Sequence, residues 1–296
     1  MSGKPSWSGA PLGRLAVIGV GQIGGSVALA ARATGAVSEV VGFARSPETL
    51  QRAQALGIID RAAANAAEAA RGASVVVLAT PVRSLASVAA AIAPVLAPDA
   101  VVFDVGSVKA PVLRVVETIL PPSSFVACHP VAGTERAGPE AASATLFADR
   151  PCVLCPTAAT GTAALALVTR LWKTFGGEVV TMDAGVHDRV LGACSHLPHA
   201  AAYALAAAVG ASDAAVLEQI GRMMTTSLRD TTRVAASNPA MWRDILLDNR
   251  GEMLPLLDRL IAELQRLRAA IGDGDGAALE PMLAAAKQSR DRLIPG

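Results

Sequence analysis

The sequence predicts an α/β domain with a doubly wound, mainly parallel sheet, followed by an all-helical domain. Strand-like and helix-like runs alternate from Gly13 to about Thr181, and a glycine-rich turn joins the first strand to the first helix. After Met182 no further strand-like run appears. Such alternation favours parallel strands joined by right-handed helical crossovers, and its end favours a separate helical domain. We therefore divide the chain into a disordered leader (1–13), an α/β domain (14–181) and a helical domain (182–296).

Short apolar and β-branched runs define the predicted strands of the first domain. They are Leu15–Ile18, Val37–Phe43, Ala73–Ala79, Val101–Val105, Phe125–Cys128, Cys152–Cys155 and Glu178–Thr181. Helix-like runs separate most of them: an Ala-rich run after the glycine-rich turn, Pro47–Leu56, Val82–Ile92, Lys109–Ile119 and Thr162–Phe175. The predicted helices of the second domain are Ala184–Val209, Asp213–Ser237, Pro239–Ile271 and Gly276–Leu293. Their Leu, Ala and Ile residues repeat at intervals of three and four, the spacing of buried or paired helices.

The composition of the chain argues against several classes of function. The 26 Lys and Arg residues nearly cancel the 25 Asp and Glu residues, so we expect no nucleic acid bound through a broad basic face. Although 52% of the residues are hydrophobic, no clean apolar run is long enough for a membrane span, and we expect no membrane association. Four cysteines in 296 residues do not suggest a disulfide framework, so we expect a cytoplasmic protein.

The glycine-rich turn is the first pattern that points to a ligand. Its GxGxxG core is Gly19–Gly24, between a strand signal and a helix signal, and we expect Gly19, Gly21, Gln22, Ile23 and Gly24 to bind the cofactor. In a dinucleotide site the first glycine makes the tight turn, the second lets the backbone approach a pyrophosphate, and the third lets helix and strand pack closely. The N–H groups at the helix start then face the phosphates. The alternatives are an unrelated glycine-rich turn or a signal peptide, although glycines and Gln22 interrupt the apolar run that a signal peptide requires.

The end of the second strand indicates which dinucleotide is preferred. NAD sites usually place Asp or Glu there for the ribose hydroxyls, whereas Arg suits a 2′-phosphate. Here the strand runs into Ala44-Arg45-Ser46, and Glu39 lies at its beginning, which is the wrong end. We therefore expect Arg45 and Ser46 to bind the 2′-phosphate and NADP to be preferred, with NAD still active. The alternative is that Arg45 is a solvated loop cation.

Two polar residues follow predicted strands, at the sheet edge where ligands gather. His129 comes directly after the fifth strand and is held by Pro130 and a glycine-containing loop, so it is placed to exchange protons near a nicotinamide. Its alternative role is a hydrogen bond to a loop. Ser107 follows the fourth strand and reaches the same space, or acts as the N-cap of the helix beginning at Lys109.

The predicted helical domain contains two histidines that closely follow Cys194 in the sequence. His196 and His199 are three residues apart and lie on one face of a predicted helix. Together with Cys152 and Cys155 they would have the residue types of a zinc site. The chain has no HExxH motif and no second CxxC pair, so we predict no metal.

The stretch Leu228–Trp242 is dense in polar groups within an otherwise apolar domain. Arg229 and Arg233 are four residues apart, and Asp230 is three residues from Arg233. One interpretation is a solvated face with a local ion pair. Because Val, Ala and Trp follow directly, the other is an interior arginine clamp for a carboxylate.

Taken together, these segments resemble the prephenate/arogenate (cyclohexadienyl) dehydrogenase family, which completes tyrosine biosynthesis. The matching motifs, in chain order, are GVGQIGGS (19–26), DVGSVK (104–109), CHPVAGTERAG (128–138), SHLPH (195–199) and RDTTRVAASNPAMWRDILLDN (229–249). Five motifs in the right order are far more specific than any one alone. The resemblance implies a Rossmann-like domain, a helical dimerisation domain that makes a homodimer, and a cleft between them.

The resemblance also implies an NAD(P)-dependent oxidative decarboxylation of a cyclohexadienol to an aromatic product. His129 would be the general base on the ring 4-hydroxyl, with Ser107 hydrogen-bonded to the same oxygen. Arg233 would hold a substrate carboxylate. The remaining site residues would be His196, His199 and Asp230, with His199 near the substrate side chain. The choice between prephenate and arogenate stays open, and Arg45 stands where NAD-preferring members usually carry an acid.

Two other functions remain as alternatives. A β-hydroxyacid or 6-phosphogluconate-type dehydrogenase shares the sheet and a helical domain, but relies on a catalytic Lys in the helices. The sequence contains no Lys between Met182 and Ala270, which counts against that class. A nucleotide-sensing protein without turnover is the other alternative, and it would not need His129, Ser107 and Arg233 together.

Overall fold

The computed structural model describes residues 6–134 and 136–294 of the chain. Its nine strands are β1 (Leu12–Ile18), β2 (Val37–Phe43), β3 (Arg61–Ala62), β4 (Ala73–Leu78), β5 (Val101–Asp104), β6 (Phe125–Val126), β7 (Cys128–Pro130), β8 (Pro151–Leu154) and β9 (Glu178–Thr181). Six of them form a parallel sheet in the order β3-β2-β1-β4-β5-β6. This is the strand order of a Rossmann fold, and the predicted fold class is confirmed.

The last three strands form a separate sheet, which differs from the prediction of one sheet. β7 pairs antiparallel with β8, and β8 pairs parallel with β9. The run predicted as one strand over Phe125–Cys128 is split because the backbone of Cys128 leaves the main sheet. Its N–H donates to the Asp104 carboxylate, and its carbonyl accepts from the Lys109 ammonium. The histidine that follows therefore lies just beyond the edge of the parallel sheet.

Helices cover both faces of the parallel sheet. They are α1 (Gln22–Ala33), α2 (Pro47–Ala55), α3 (Ala66–Ala70), α4 (Leu85–Ile92), α5 (Ala110–Val116) and α6 (Thr162–Thr174). Val75 and Val77 of β4 belong to one buried cluster, whereas Val76 and Leu78 belong to another. Successive strand residues point to opposite faces, so two cores lie on the two sides of the sheet.

Part of the predicted leader is ordered. The side chain of Trp7 is buried, and its indole N–H donates to the carbonyl of Ala10 at 3.0 Å. The guanidinium of Arg170 lies 3.4 Å from the centre of the Trp7 ring, and β1 already begins at Leu12. The prediction of disorder is therefore wrong for residues 7–13, because one buried aromatic anchors them. Residues 1–5 of that prediction lie outside the described residues.

The rest of the chain is helical, as predicted, but in shorter pieces. The helices are α7 (Ala184–Leu191), α8 (Leu197–Gly210), α9 (Ala214–Arg222), α10 (Thr226–Thr232), α11 (Pro239–Asp248), α12 (Arg250–Gly272) and α13 (Gly276–Leu293). A π-helical turn, Gly192–His196, separates α7 from α8, and a 3₁₀ turn, Arg233–Ala236, follows α10. The predicted helix Asp213–Ser237 is broken because Thr225 caps a new helix. Asn249 likewise ends α11 within the predicted Pro239–Ile271.

The chain divides into two compact units, of which one ends at Asn249 and the other begins at Arg250. This division lies later than the boundary expected after Thr181, because α7 packs on α5 of the α/β part. Among the described helices, none is by itself long and apolar enough to cross a membrane. One bent pair, Ala184–Gly210 with Ala214–Arg222, reaches that length and composition together, with a bend of 118°.

Candidate active site

The glycine-rich turn has the shape that a dinucleotide needs. Gly19 has φ of +104°, and a Cβ there would lie 2.4 Å from the carbonyl oxygen of Ala79. A Cβ on Gly24 would lie 2.1 Å from the carbonyl oxygen of Gly19. A Cβ on Gly21 would meet no atom within 4 Å. Gly19 and Gly24 are thus required by close packing, whereas Gly21 keeps open the space at the start of α1 into which a pyrophosphate fits.

A hydroxyl beside this turn is also available to a ligand. Thr80 follows β4, and its backbone nitrogen lies 3.0 Å from the position of a Cβ on Gly19. Its Oγ1 is buried and has no hydrogen-bond partner among residues 6–134 and 136–294. Buried polar atoms without partners are uncommon in folded proteins. The open space and the unpaired hydroxyl both fit a bound nicotinamide dinucleotide.

The side chain of Gln22 joins the glycine-rich turn to the loop that follows His129. Its Oε1 accepts from the backbone N–H of Thr134 at 3.0 Å, and its Nε2 donates to Oγ1 of Thr134 at 2.8 Å. Ile23 packs against the main core. Both side chains are thus engaged with protein. As the first residues of α1, they retain backbone N–H groups without helical acceptors, which is how they would contact a phosphate.

The end of β2 carries an exposed Arg45 and a capping Ser46. No described residue forms a hydrogen bond or ion pair with the guanidinium of Arg45. The hydroxyl of Ser46 accepts from the N–H of Thr49 at 3.2 Å and donates to the carboxylate of Glu48 at 2.5 Å. The pKa of Glu48 is lowered, mainly by this hydrogen bond from Ser46. Ser46 is therefore the N-cap of α2, and the expected phosphate contact depends on Arg45.

The four histidines of the chain lie in one region, and His129 is at its centre. Nδ1 of His129 lies 2.8 Å from Nε2 of His187. Nδ1 of His187 lies 2.8 Å from a carboxylate oxygen of Asp188. All three residues are buried. The sequence motifs do not predict a role for His187 and Asp188, and His187 is the one histidine that lies outside those motifs.

The environment of His129 favours its neutral form. Burial lowers its pKa well below the ordinary value, and the nearby His187, Lys109 and His196 add to the effect. A neutral imidazole has one nitrogen with a lone pair, so it acts as a base. His129 therefore enters any reaction at neutral pH as a proton acceptor.

A buried ion pair holds the residue before His129. The side chains of Lys109 and Asp104 are fully buried and in contact. Lys109 Nζ donates to the carbonyl of Cys128 at 2.7 Å, and the other oxygen of Asp104 accepts from the N–H of Cys128 at 3.1 Å. Both backbone groups of Cys128 are thereby fixed. Asp104 and Lys109 begin and end the DVGSVK motif, whose sequence alone does not indicate this structural role.

Ser107 lies half-buried in the loop between β5 and α5. It is not the N-cap of the next helix, which is a correction to one of its two predicted roles. The helix α5 begins at Ala110, and the carboxylate of Asp188 accepts from the N–H groups of Lys109 at 2.7 Å and Ala110 at 2.9 Å. Within the described ranges the hydroxyl of Ser107 has no hydrogen-bond partner, so its other predicted role, at the substrate, stays a prediction.

His196 is almost completely buried and its protonation follows from its partners. The side-chain amide of Asn249 donates to Nδ1 of His196 at 2.9 Å and to the carbonyl of Asp188 at 2.8 Å. Nδ1 of His196 is therefore an acceptor, and a neutral ring carries its proton on Nε2. Burial lowers the pKa of His196 to about 4. His196 thus presents a neutral N–H donor.

His199 lies against a tryptophan. Its ring stacks on that of Trp242, with centroids 3.5 Å apart and planes 20° from parallel. Nδ1 of His199 lies 2.9 Å from the carbonyl oxygen of Ser195, so it is the protonated nitrogen of the neutral ring. Burial lowers the pKa of His199, and the charge of Arg233 contributes to the shift. Arg233 is therefore near His199.

The segment around Arg233 is exposed, which corrects the prediction of an interior clamp. No residue of α10 is buried, and Arg233 itself is exposed. Asp230 forms an ion pair with Arg229 at 3.7 Å, and both side chains are more than half exposed. The reason is that α10 carries Thr, Ser, Arg and Asp on most of its surface. Arg233 is thus exposed and close enough to His199 for its charge to affect that ring.

The cysteines do not join the histidines. Burial raises the pKa of Cys155 to about 12 and raises that of Cys152 further, so both thiols are held in the neutral form. Among the described residues, no group of three or more His, Cys, Asp or Glu side chains is arranged to hold a metal ion.

Comparisons with known proteins identify two domains in the chain. Residues 27–181 match the family model for the prephenate dehydrogenase nucleotide-binding domain, and residues 183–285 match the prephenate dehydrogenase dimerization domain. A cyclohexadienyl dehydrogenase from Zymomonas mobilis is 42% identical over 262 residues, covering 88% of this chain and 89% of that protein. A prephenate dehydrogenase from Bacillus subtilis is 33% identical over 277 residues, covering 93% of this chain and 74% of that protein. The crystal structure of prephenate dehydrogenase from Aquifex aeolicus in complex with hydroxyphenyl propionate and NAD+ has a TM-score of 0.87 at 34% identity, covering 97% of this chain and 100% of that one.

Proposed function

The chain belongs to the prephenate dehydrogenase family, and we propose that it converts prephenate or arogenate to an aromatic product by NAD(P)-dependent oxidative decarboxylation. The observation that carries this proposal is the buried His129, whose Nδ1 is bound by His187 while Nε2 remains to act on a substrate. This histidine lies at the sheet edge beside the glycine-rich turn, where a Rossmann fold brings substrate and nicotinamide together.

The residues of the cluster supply the proton chemistry of the reaction. His129 takes the proton of the ring 4-hydroxyl at Nε2, and Ser107 hydrogen-bonds the same oxygen. A bound nicotinamide supplies the acceptor for the hydride that leaves the ring carbon bearing this hydroxyl. The bond between the ring and its carboxylate then breaks, carbon dioxide departs, and the electron pair makes the ring aromatic. His129 returns the proton to the ring oxygen, so no proton is gained or lost overall.

The remaining site residues bind and orient the substrate. The fork of Arg233 meets a planar carboxylate, and the exposed position of Arg233 makes it accessible to an entering anion. His196 offers its Nε2 proton as a donor, whereas His199 lies near the substrate side chain. Asp230 lines the same opening, one turn before Arg233. We propose that 14–181 binds the dinucleotide and that 182–296 supplies the substrate groups and the dimer contacts.

The direct test is turnover of defined substrates by the full-length chain. Absorbance at 340 nm is followed with prephenate, arogenate or a simple β-hydroxy acid, each with NADP and with NAD. The proposal predicts reduction of the cofactor with prephenate, arogenate or both, and none with the β-hydroxy acid. Reduction only with the β-hydroxy acid would indicate the alternative dehydrogenase class. Dinucleotide binding without any turnover would indicate a sensing protein.

We propose that NADP is preferred over NAD because of Arg45. No carboxylate lies at the end of β2 itself to repel a 2′-phosphate. The nearby Glu48 is ionised and fully exposed, so it reduces the attraction of Arg45 for a phosphate without abolishing it. An exposed arginine is therefore expected to change affinity by roughly tenfold, which is a preference and not an exclusion.

Replacing Arg45 with alanine is expected to lower the kcat/KM ratio of NADP to NAD by roughly tenfold. The matched control is Arg52→Ala, since Arg52 lies on α2 in an ion pair with Glu140. It is expected to leave the ratio unchanged. If the wild-type protein favours NAD, or if Arg45→Ala leaves the ratio as it was, Arg45 does not bind the 2′-phosphate.

We further propose a homodimer whose interface includes the apolar face of α9. A groove of about 560 Å³ is lined by Ala215, Val216, Gln219, Ile220, Met223, Met224, Thr225 and Leu228. Met223 and Met224 are 74% and 54% exposed. Apolar surface of this kind usually lies in an interface, and identical chains most often pair two-fold.

Changing Met224 to aspartate is expected to raise the dissociation constant of the dimer by at least about tenfold, because it buries a charge in the interface. Met224 lies outside the helices, so the change leaves helical backbone intact. Leu56→Asp is the control, since Leu56 is an exposed apolar residue of the α/β part. Sedimentation or light scattering at micromolar concentration measures the effect. A wild-type monomer, or a dimer unaffected by Met224→Asp, would contradict the proposal.

A further inference from the structure

We propose that His187 and Asp188 are positioning residues that fix on which ring nitrogen His129 carries its proton. Through their hydrogen bonds, Nδ1 of His129 is protonated and Nε2 keeps its lone pair for the substrate hydroxyl. The catalytic part of this inference rests on the proposed function. The hydrogen-bond chain itself does not, and it is measured separately below.

The carboxylate of Asp188 is surrounded by hydrogen-bond donors. One oxygen lies 2.7 Å from the backbone nitrogen of Lys109 and 2.8 Å from Nδ1 of His187. The other lies 2.9 Å from the backbone nitrogen of Ala110. Backbone N–H groups only donate, so both oxygens act as acceptors. Nδ1 of His187 therefore carries the proton of that ring.

The protonation of His187 determines which ring nitrogen of His129 carries a proton. A neutral His187 with its proton on Nδ1 has a lone pair on Nε2. This nitrogen lies 2.8 Å from Nδ1 of His129, and a hydrogen bond at that distance needs one proton between them. That proton belongs to His129 Nδ1. The other tautomer of His129 would place two lone pairs against each other.

The position of Asp188 gives the chain of hydrogen bonds a rigid base. Asp188 is buried, and it caps α5 by accepting from the first N–H groups of that helix. The side-chain amide of Asn249 also donates to its backbone carbonyl at 2.8 Å. His187 is completely buried, and its ring meets that of His129 edge to face, with centroids 5.1 Å apart.

The arrangement also assists the step in which His129 gains a proton. His129 is then a cation in a buried site, where an uncompensated charge is costly. Its Nδ1–H continues to donate to His187, and His187 continues to donate to the negative Asp188. A general base oriented by a third group in this way is a recurring design in enzymes. The side chains of His187 and Asp188 are hydrogen-bonded to protein groups, so we infer that they act through His129.

Two substitutions of His187 separate a positioning role from a merely structural one. An asparagine amide takes the place of Nδ1, so His187→Asn keeps the bond to Asp188 and loses the acceptor for His129. A glutamine amide takes the place of Nε2, so His187→Gln keeps that acceptor and loses the bond to Asp188. Each variant loses one hydrogen bond, so the pair is matched in the cost to folding. Thermal unfolding of both variants provides the check.

The protonation of His129 is read by nitrogen NMR of the full-length chain labelled with ¹⁵N-histidine. With four histidines in the sequence, the signals are assigned from single variants. At a pH where His129 is neutral, we expect its proton on Nδ1 in the wild type and in His187→Gln. In His187→Asn we expect the Nε2-protonated form to appear. A wild-type His129 protonated on Nε2 would overturn the inference, whether or not the chain turns over prephenate.

Steady-state kinetics complete the test. His187→Asn is expected to lower kcat by at least about tenfold, but by less than the 10²–10⁴ expected from loss of the base itself. KM is expected to change little. His187→Gln is expected to retain more of kcat than His187→Asn. Equal kcat in the two variants, or the reverse order, would overturn the inference. If instead NMR shows the expected protonation but no variant or wild type turns over either substrate, the proposed function fails and the hydrogen-bond chain stands.

Discussion

Replacing His129 with asparagine is expected to lower kcat for prephenate or arogenate by roughly 10²–10⁴, the usual contribution of a general base. The asparagine amide takes the place of Nδ1 and still donates to His187, so the variant loses Nε2 and little else. Substrate binding is therefore expected to change little, with KM close to that of the wild type. Steady-state kinetics with saturating cofactor measures both parameters. Near wild-type turnover in His129→Asn would exclude His129 as the base.

The pH dependence of the wild type provides the companion measurement. His129 acts as a base only when neutral, so kcat/KM falls as the pH drops through its pKa. Burial holds this pKa well below the ordinary value, so we expect activity to persist below pH 6.5, the pKa of an unperturbed histidine. In His129→Asn this acid limb is expected to disappear from the residual activity. An unchanged acid limb in the variant would assign it to another group.

Replacing Arg233 with alanine is expected to raise KM for the substrate by roughly tenfold to 150-fold. This corresponds to the loss of a charge-assisted hydrogen bond worth about 1.5–3 kcal/mol. Because Arg233 is exposed and solvent screens its charge, the lower part of that range is the better expectation. KM for the dinucleotide is expected to stay constant.

The control for Arg233 is Arg266→Ala. Arg266 is an exposed arginine on α12 with a local ion pair to Glu263, so its loss removes the same charge from a helix that supplies none of the proposed site residues. It is expected to leave both KM values unchanged. A rise in KM for the dinucleotide in Arg233→Ala, with KM for the substrate unchanged, would assign Arg233 to the other binding site.

The fold could be predicted from the sequence because local patterns determine it. Gly19, Gly21 and Gly24 each meet a separate steric demand, so their spacing after a strand predicts the turn and the domain around it. The strand Val37–Phe43 and the helix Gly276–Leu293 have the bounds that the sequence predicts. The second sheet could not be predicted. It depends on hydrogen bonds between the backbone of Cys128 and the side chains of Asp104 and Lys109. Such contacts between residues distant in the sequence produce no periodic pattern in it.

The candidate site was only partly predictable for the same reason. His129, His196 and His199 stand out because they follow a strand or share a helix face. His187 and Asp188 lie inside a predicted helix, where their neighbours in sequence say nothing of a partner. Their role depends on the packing of α7 against α5. This packing brings the carboxylate of Asp188 to the N–H groups of Lys109 and Ala110, which are far away in the sequence.

The central claim is that one site removes hydride and carbon dioxide from the same ring, with His129 accepting the proton of the ring 4-hydroxyl and returning it to the oxygen. It is tested most directly by the stoichiometry of a single reaction at neutral pH, using prephenate labelled with ¹³C in the ring carboxylate. One labelled carbon dioxide and one aromatic product are expected for each nicotinamide reduced, and in His129→Asn the rates of forming all three are expected to fall together by roughly 10²–10⁴. Reduction of nicotinamide without release of labelled carbon dioxide, or release without reduction, would contradict it.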